Sequence, residues 1–167
     1  MMKMKKFELL TAFIPQMQPN TYGKWIIDKK NDGSKEHPIQ MPFVDYSETI
    51  DKFIDTLYEF CEAHPEYEHT NYHATLESHG LEWGQASMET ADVTAMDAKG
   101  VIALLIGAVR AERFCDGALL SMLEKGCILR WLNRLEQIRR DTRTTSTPCT
   151  ELFEPFFGVF SRKNADS

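Results

Sequence analysis

A mainly helical single domain, arranged around one central apolar helix and carrying a small N-terminal β-hairpin or ribbon, is the fold class that the sequence predicts. Three observations carry it. From Ser47 onward, apolar residues recur at three- and four-residue spacing, which is the helical period. The run from Val101 to Val109 leaves no wide polar face, so the helix that contains it must be covered on most sides. Extended patterning is confined to two short pieces near the N-terminus, separated by the turn signal Asn31-Asp32-Gly33-Ser34.

Taken in order, Phe7, Leu10 and Ile14 lie at helical spacing within residues 3–14 and predict a short amphipathic helix that Pro15 and Pro19 end. Residues 23–28, Gly-Lys-Trp-Ile-Ile-Asp, read as a strand. Residues 38–44 carry two prolines and suit an edge strand or an ordered loop. Ser47 is placed to cap a helix whose apolar stripe is Ile50, Phe53, Ile54, Leu57, Phe60 and Cys61, stopping before Pro65. A further short helix is expected over 70–78, with Gly80 beyond its end. Residues 81–96 are mixed in character, with Trp83 and Met88 as expected anchors.

Asp97 is the expected cap of the central helix, 98 to about 114, which Asp116-Gly117 breaks. A short helix over 118–125 closes at Gly126. The last helix runs from about 128 to 140 and aligns Ile128, Trp131, Leu132, Leu135 and Ile138 on one face. Residues 1–140 thus form one domain. Residues 141–148 have the Thr/Ser composition of a linker, and the apolar segment from Leu152 to Phe160 is expected to dock on the body.

Composition narrows the function classes. The chain has 167 residues, a formal net charge of −6, 43% hydrophobic residues and 26% charged residues. These are ordinary values for a globular domain, and they exclude a collagen-like or largely disordered chain. The longest apolar run is about half of the ~20 residues that a membrane span needs, so no membrane association is expected. The basic stretch Lys3-Met4-Lys5-Lys6 is soon followed by Glu8 and has no small-residue cleavage site after it, so an exported protein is not expected. Four cysteines, Cys61, Cys115, Cys127 and Cys149, lack the spacing of a zinc knuckle or redox pair, which favours reduced thiols in the cytoplasm.

Three stretches carry a resemblance. They are Gly23-Lys24-Trp25 through Ile39-Gln40-Met41-Pro42-Phe43-Val44-Asp45-Tyr46-Ser47; Gly80-Leu81-Glu82-Trp83-Gly84; and Gly107 through Leu120, continuing to Ile128-Leu129-Arg130-Trp131-Leu132. The third is the most specific, since charged residues interrupt an apolar helix in an unusual order. Over about residues 3–140 the chain resembles an uncharacterised bacterial family of unknown function. That family is similar to small accessory proteins of Gram-positive gut bacteria and their mobile elements. The resemblance implies an origin and supplies no activity.

Four groups of residues could carry chemistry. Arg110, Glu112, Arg113 and Asp116 sit at the end of the apolar helix, like-signed pairs sharing a face. They fit an internal ion-pair network or a polar pocket in which the arginines clamp an anion and a carboxyl moves a proton; the structural reading is the favoured one. His69 and His73 are four apart, a metal-ligand spacing, but Thr70 stands where a helical zinc hydrolase needs Glu, and neither a metal nor a cofactor is expected.

The third group is acidic. Residues 45–97 hold thirteen Asp/Glu against one Lys52, a net of −12 over 53 residues, while 110–143 have a net of +3. Asp51, Asp55, Glu59 and Glu62 fall opposite the apolar stripe of their helix, either as a solvated face or as a docking face for a basic partner. Fourth, Arg130, Asn133 and Arg134, with the preceding short helix, loosely echo a helix-turn-helix. The acidic balance opposes phosphate binding, so direct nucleic-acid contact is not expected.

No nucleotide-binding glycine loop, nucleophile elbow or kinase signature occurs. The expected function is therefore non-enzymatic: a cytoplasmic accessory factor of a mobile element that docks its acidic face on a basic protein. That partner would be a nuclease or DNA-binding protein, inhibited in the manner of anti-CRISPR or anti-restriction proteins. The alternatives are a small enzyme or ligand-binding domain using the Arg110–Asp116 cluster, and a helix-turn-helix-like regulator. Oligomeric state is open.

Overall fold

A computed structural model describes residues 6–144 of the chain. The described residues form seven α-helices and one two-stranded antiparallel sheet, in line with the mainly helical class. In order these are α1 (Glu8–Thr11), β1 (Gly23–Ile26), β2 (Phe43–Tyr46), α2 (Glu48–Ala63), α3 (Tyr72–Ser78), α4 (Gln85–Glu89), α5 (Ala98–Ala111), α6 (Ala118–Glu124) and α7 (Cys127–Thr144).

Helix α5 is the axis of the molecule. Every residue from Gly100 to Val109 is buried, and α3, α4, α6 and α7 all pack on it. Its entry is set by Asp97, whose carboxylate accepts the Gly100 N–H at 2.9 Å, as the sequence predicts. Met88 of α4 crosses the helix closely at Gly107, where a Cβ would lie 2.8 Å from the Met88 methyl and that side chain would have to shift. Met88 is fully buried, whereas Trp83 is only half-buried. Trp131, Leu132 and Leu135 of α7 and Leu119, Met122 and Leu123 of α6 complete this core. The aromatic pairs Phe13–Phe53 and Phe7–Phe60, centroids 5.5 and 5.8 Å apart, tie the N-terminal segment to α2.

Several boundaries differ from the sequence expectation. The first helix is one turn, followed by a 3₁₀ turn over Ile14–Gln16 that contains Pro15. The second strand lies at 43–46 rather than 38–44, pairing Gly23 with Tyr46 and Ile26 with Phe43. Both prolines fall outside it, since neither can donate to the ladder. The connection between the strands is organised by Asp28, whose carboxylate accepts from the backbone N–H groups of Lys30, Asn31 and Gln40 and from the Asn31 amide. Those bonds hold its pKa well below the ordinary carboxylate range.

His69–Asn71 is a separate 3₁₀ turn, and α3 begins only at Tyr72. Helix α5 ends at Ala111, three residues early, and the Glu112 carboxylate that follows it bonds forward into α6. Helix α7 continues to Thr144, through the first residues expected to be linker. Cys115 is exposed in the turn after α5, while Cys61 and Cys127 are buried. The segment from Leu152 to Phe160 and Cys149 lie outside the described residues.

Candidate functional site

Helix α2 forms where the hairpin ends. Ser47 is extended (φ −71°, ψ 154°), and its carbonyl accepts the N–H groups of Ile50 and Asp51. Its hydroxyl makes no cap hydrogen bond and is buried without a partner, so here the cap is a backbone one. Ile50, Phe53, Leu57, Phe60 and Cys61 are buried. Asp51, Asp55, Glu59 and Glu62 are all exposed, in a row that extends about 16 Å along the helix. Glu48 and Asp51 in the first turn are favoured by the helix dipole; Glu62 in the last turn is not. Lys52, the lone cation of this helix, is paired with Glu48. The row therefore stands uncompensated on its own element.

The Arg110–Asp116 cluster divides. Glu112 turns toward α6, where its two carboxylate oxygens accept the N–H groups of Gly117 at 2.8 Å and Leu119 at 2.9 Å. This satisfies the open N-terminus of α6, which follows a left-handed Gly117 (φ +82°). Tyr46, arriving from β2, accepts the Leu120 N–H at 3.1 Å through its hydroxyl, next to the Leu119 N–H that Glu112 takes. Burial, then the Glu112 charge, push the Tyr46 phenol well above its usual pKa. Arg110 points elsewhere, its guanidinium carbon 5.2 Å from the centre of the Tyr72 ring and near Cys61. Burial pushes the Cys61 thiol up to about 11 against the opposing effect of that charge. Arg113 and Asp116 are exposed. The four side chains do not converge on one cavity.

Two arginines of α7 are engaged by backbone carbonyls. Arg130 donates to the Glu89 carbonyl at 2.6 Å, and Arg134 to the Met96 carbonyl at 3.0 Å. Asn133 donates to Leu129 of its own helix. Together with Lys125, which pairs with the Glu89 carboxylate at 2.8 Å, they strap the 84–97 segment to α6 and α7. The histidines disperse. His79 Nδ1 faces the Thr75 carbonyl at 2.7 Å and Nε2 faces Asp97 at 3.0 Å, His73 stacks on Trp83 with centroids 5.0 Å apart, and His64 lies on Phe60. Among the described residues no group of three His, Cys, Asp or Glu is placed to hold a metal ion.

Two arrangements escaped the sequence reading. One is the meeting of Tyr46 and Glu112 on the first turn of α6, for which no local pattern exists. The other is a run of rings on α3, the following loop and the turn after α5. Tyr72 lies beside His73 (4.3 Å), His73 on Trp83 (5.0 Å) and Trp83 edge-on to Phe114 (5.7 Å). Phe114 is 76% exposed although it is a large apolar ring. The class these features define is a small, mainly helical protein with an acidic helix on its surface. Residues 2–141 match the profile of DUF6508, a family of unknown function, and the chain belongs to that family. No curated protein and no solved structure matches it. No helix among the described residues is long and apolar enough to cross a membrane.

Proposed function

We propose that the protein is a non-enzymatic, cytoplasmic binding module that docks the Asp51–Glu62 face of α2 on a basic protein partner. The observation that carries this reading is the uncompensated row itself: four exposed carboxylates on one helix whose single lysine is spent on Glu48. A row of this kind raises association rates with cationic surfaces by long-range attraction. The basic surfaces it suits are the phosphate-binding channels of nucleic-acid-handling machines. Occupying such a channel inhibits it by competition with the backbone phosphates, and a mobile-element accessory factor is the expected setting. Arg130 and Arg134 of α7, engaged by the Glu89 and Met96 carbonyls, do not favour direct nucleic-acid binding by this chain.

The test is kinetic. The partner is captured from host cells on immobilised protein, and association is then measured across a range of salt. In the quadruple variant Asp51→Asn, Asp55→Asn, Glu59→Gln, Glu62→Gln, association is expected to slow at low salt and to lose most of its salt dependence, with little change in dissociation. Wild-type kinetics of that variant at low salt would sink the reading.

A further inference from the structure

Seven large apolar side chains are exposed among the described residues, and five of them lie on the hairpin: Trp25, Ile27, Ile39, Met41 and Phe43. They are between 38% and 77% exposed, Met41 the most. Within residues 27–43 only Asp28 and Ser34 are even partly covered, so the helical body shields almost none of this arm. Its own bonds nevertheless hold it in one shape. Ile26 stands opposite Phe43 in the ladder, and beyond the ladder the Asp28 carboxylate accepts the Gln40 N–H at 2.9 Å, tying the two sides together again. Toward the tip the Gly33 N–H donates to the His37 carbonyl at 2.9 Å, and the Ile39 side chain lies against Gly33. Exposed apolar side chains gathered on one preformed element mark a surface that a partner covers.

We infer that the occupant of this arm is the chain's own C-terminal segment, residues 152–160. That segment lies outside the described residues, and its Leu152, Phe153, Phe156, Phe157, Val159 and Phe160 are interrupted only by Glu154, Pro155 and Gly158. Seating it on the arm takes both apolar surfaces out of water. The tether is long enough. Helix α7 ends at Thr144, and the chain from there to Phe160 spans up to about 55 Å when extended. A domain of the described size has a radius of gyration of about 14 Å, so the arm is within reach wherever α7 ends. Attachment also makes the contact intramolecular, at an effective concentration on the order of millimolar, which a second copy in ordinary solution does not match. Charge points the same way. Lys29, Lys30 and Lys35 of the arm are exposed and make no ion pair among the described residues. Arms of two copies laid on each other would bring these lysines onto lysines, whereas the segment carries Glu151 and Glu154 and has no cation before Arg162.

The test places the photoreactive residue p-benzoylphenylalanine at position 41 of the full chain, where Met41 is exposed and its replacement leaves the core untouched. Dilute protein is irradiated, and the products are sized and then mapped by mass spectrometry after trypsin digestion. The expected product is a link within one chain between position 41 and the tryptic fragment 144–162. In the same chain, Phe156→Ser together with Phe157→Ser should lower the yield of that link at least threefold. Without the photoreactive residue, the double serine variant should also open Trp25 to quenching by acrylamide; Trp131, fully buried, contributes nothing to that change. A melting comparison verifies that each variant keeps the folded body. Links joining two chains would assign the arm to a second copy and overturn the inference. Links confined to the described residues, or no link at all, would overturn it as well. So would a yield that the double serine change leaves unaltered, since random encounters of a tethered tail do not depend on those two rings.

Discussion

Glu112 and Arg113 are neighbours in sequence with opposite structural fates. The Glu112 carboxylate closes two open N–H groups at the start of α6. Glu112→Ala strands those donors and is expected to cost about 2 kcal/mol, the range for hydrogen bonds to a charged group. Arg113→Ala, at an exposed position, should stay within about 0.5 kcal/mol of wild type. Urea unfolding of the two variants checks both values, and equal losses would contradict this division. Glu136 provides the pH signature. Its hydrogen bond to Arg139 at 2.7 Å, aided by Arg140 at 2.8 Å, outweighs partial burial and lowers the carboxyl from 4.5 to about 2. The folded value lies below the unfolded one, so this contribution is complete above 4.5 and is lost as pH falls toward 2. Glu136→Gln should therefore be less stable than wild type at neutral pH, and the gap in melting temperature should close through that acid window.

At the scale of elements, the tightest crossing between the hairpin and the helical body is at Trp25. The Trp25 ring lies on Gly117, where a Cβ would fall 2.2 Å from a ring carbon, and φ is +82°. Gly117→Ala meets both obstacles at once, a left-handed backbone and a backbone-to-ring clash. A loss of about 2–3 kcal/mol is expected, with the Trp25 fluorescence changed as the hairpin shifts; an unaltered spectrum and melting curve would show the crossing to be loose. Helix α5 is less forgiving. Leu105 is fully buried among α5's neighbours, and Leu105→Asp places an unpaired charge there. Loss of the cooperative thermal transition is expected for that variant.

For the molecule as a whole, charge is distributed unevenly: a net of −12 over residues 45–97 against +3 over 110–143. The fold tolerates the α2 row because its side chains reach solvent, where like-charge repulsion four residues apart costs only tenths of a kcal/mol. Neutralising all four should accordingly raise stability by about 0.5–1 kcal/mol at low salt, and the gain should fade in concentrated salt. Melting curves at two ionic strengths test this. A variant that loses stability instead would mean that these carboxylates make contacts the folded chain depends on.

The features legible in the sequence are those set by local periodicity. The burial of α5 follows from an apolar run with no polar side, the Asp97 cap from its position before that run, and the exposed acid row from the helical phase that buries Phe53 and Leu57. These depend on side chains a few residues apart, whose relative positions the helix itself determines. What only the tertiary structure decided are meetings between distant segments. Tyr46 reaches Leu120 across 74 positions, Arg130 reaches Glu89 across 41, and the rings from Tyr72 to Phe114 come from three separate segments. A period says which face of a helix is buried, but the orientation in which two buried faces pack comes from the shapes of all the side chains between them. For that reason the charges of 110–116 could be grouped by spacing, while their separation into an α6 cap, a cation on Tyr72 and two surface residues could not.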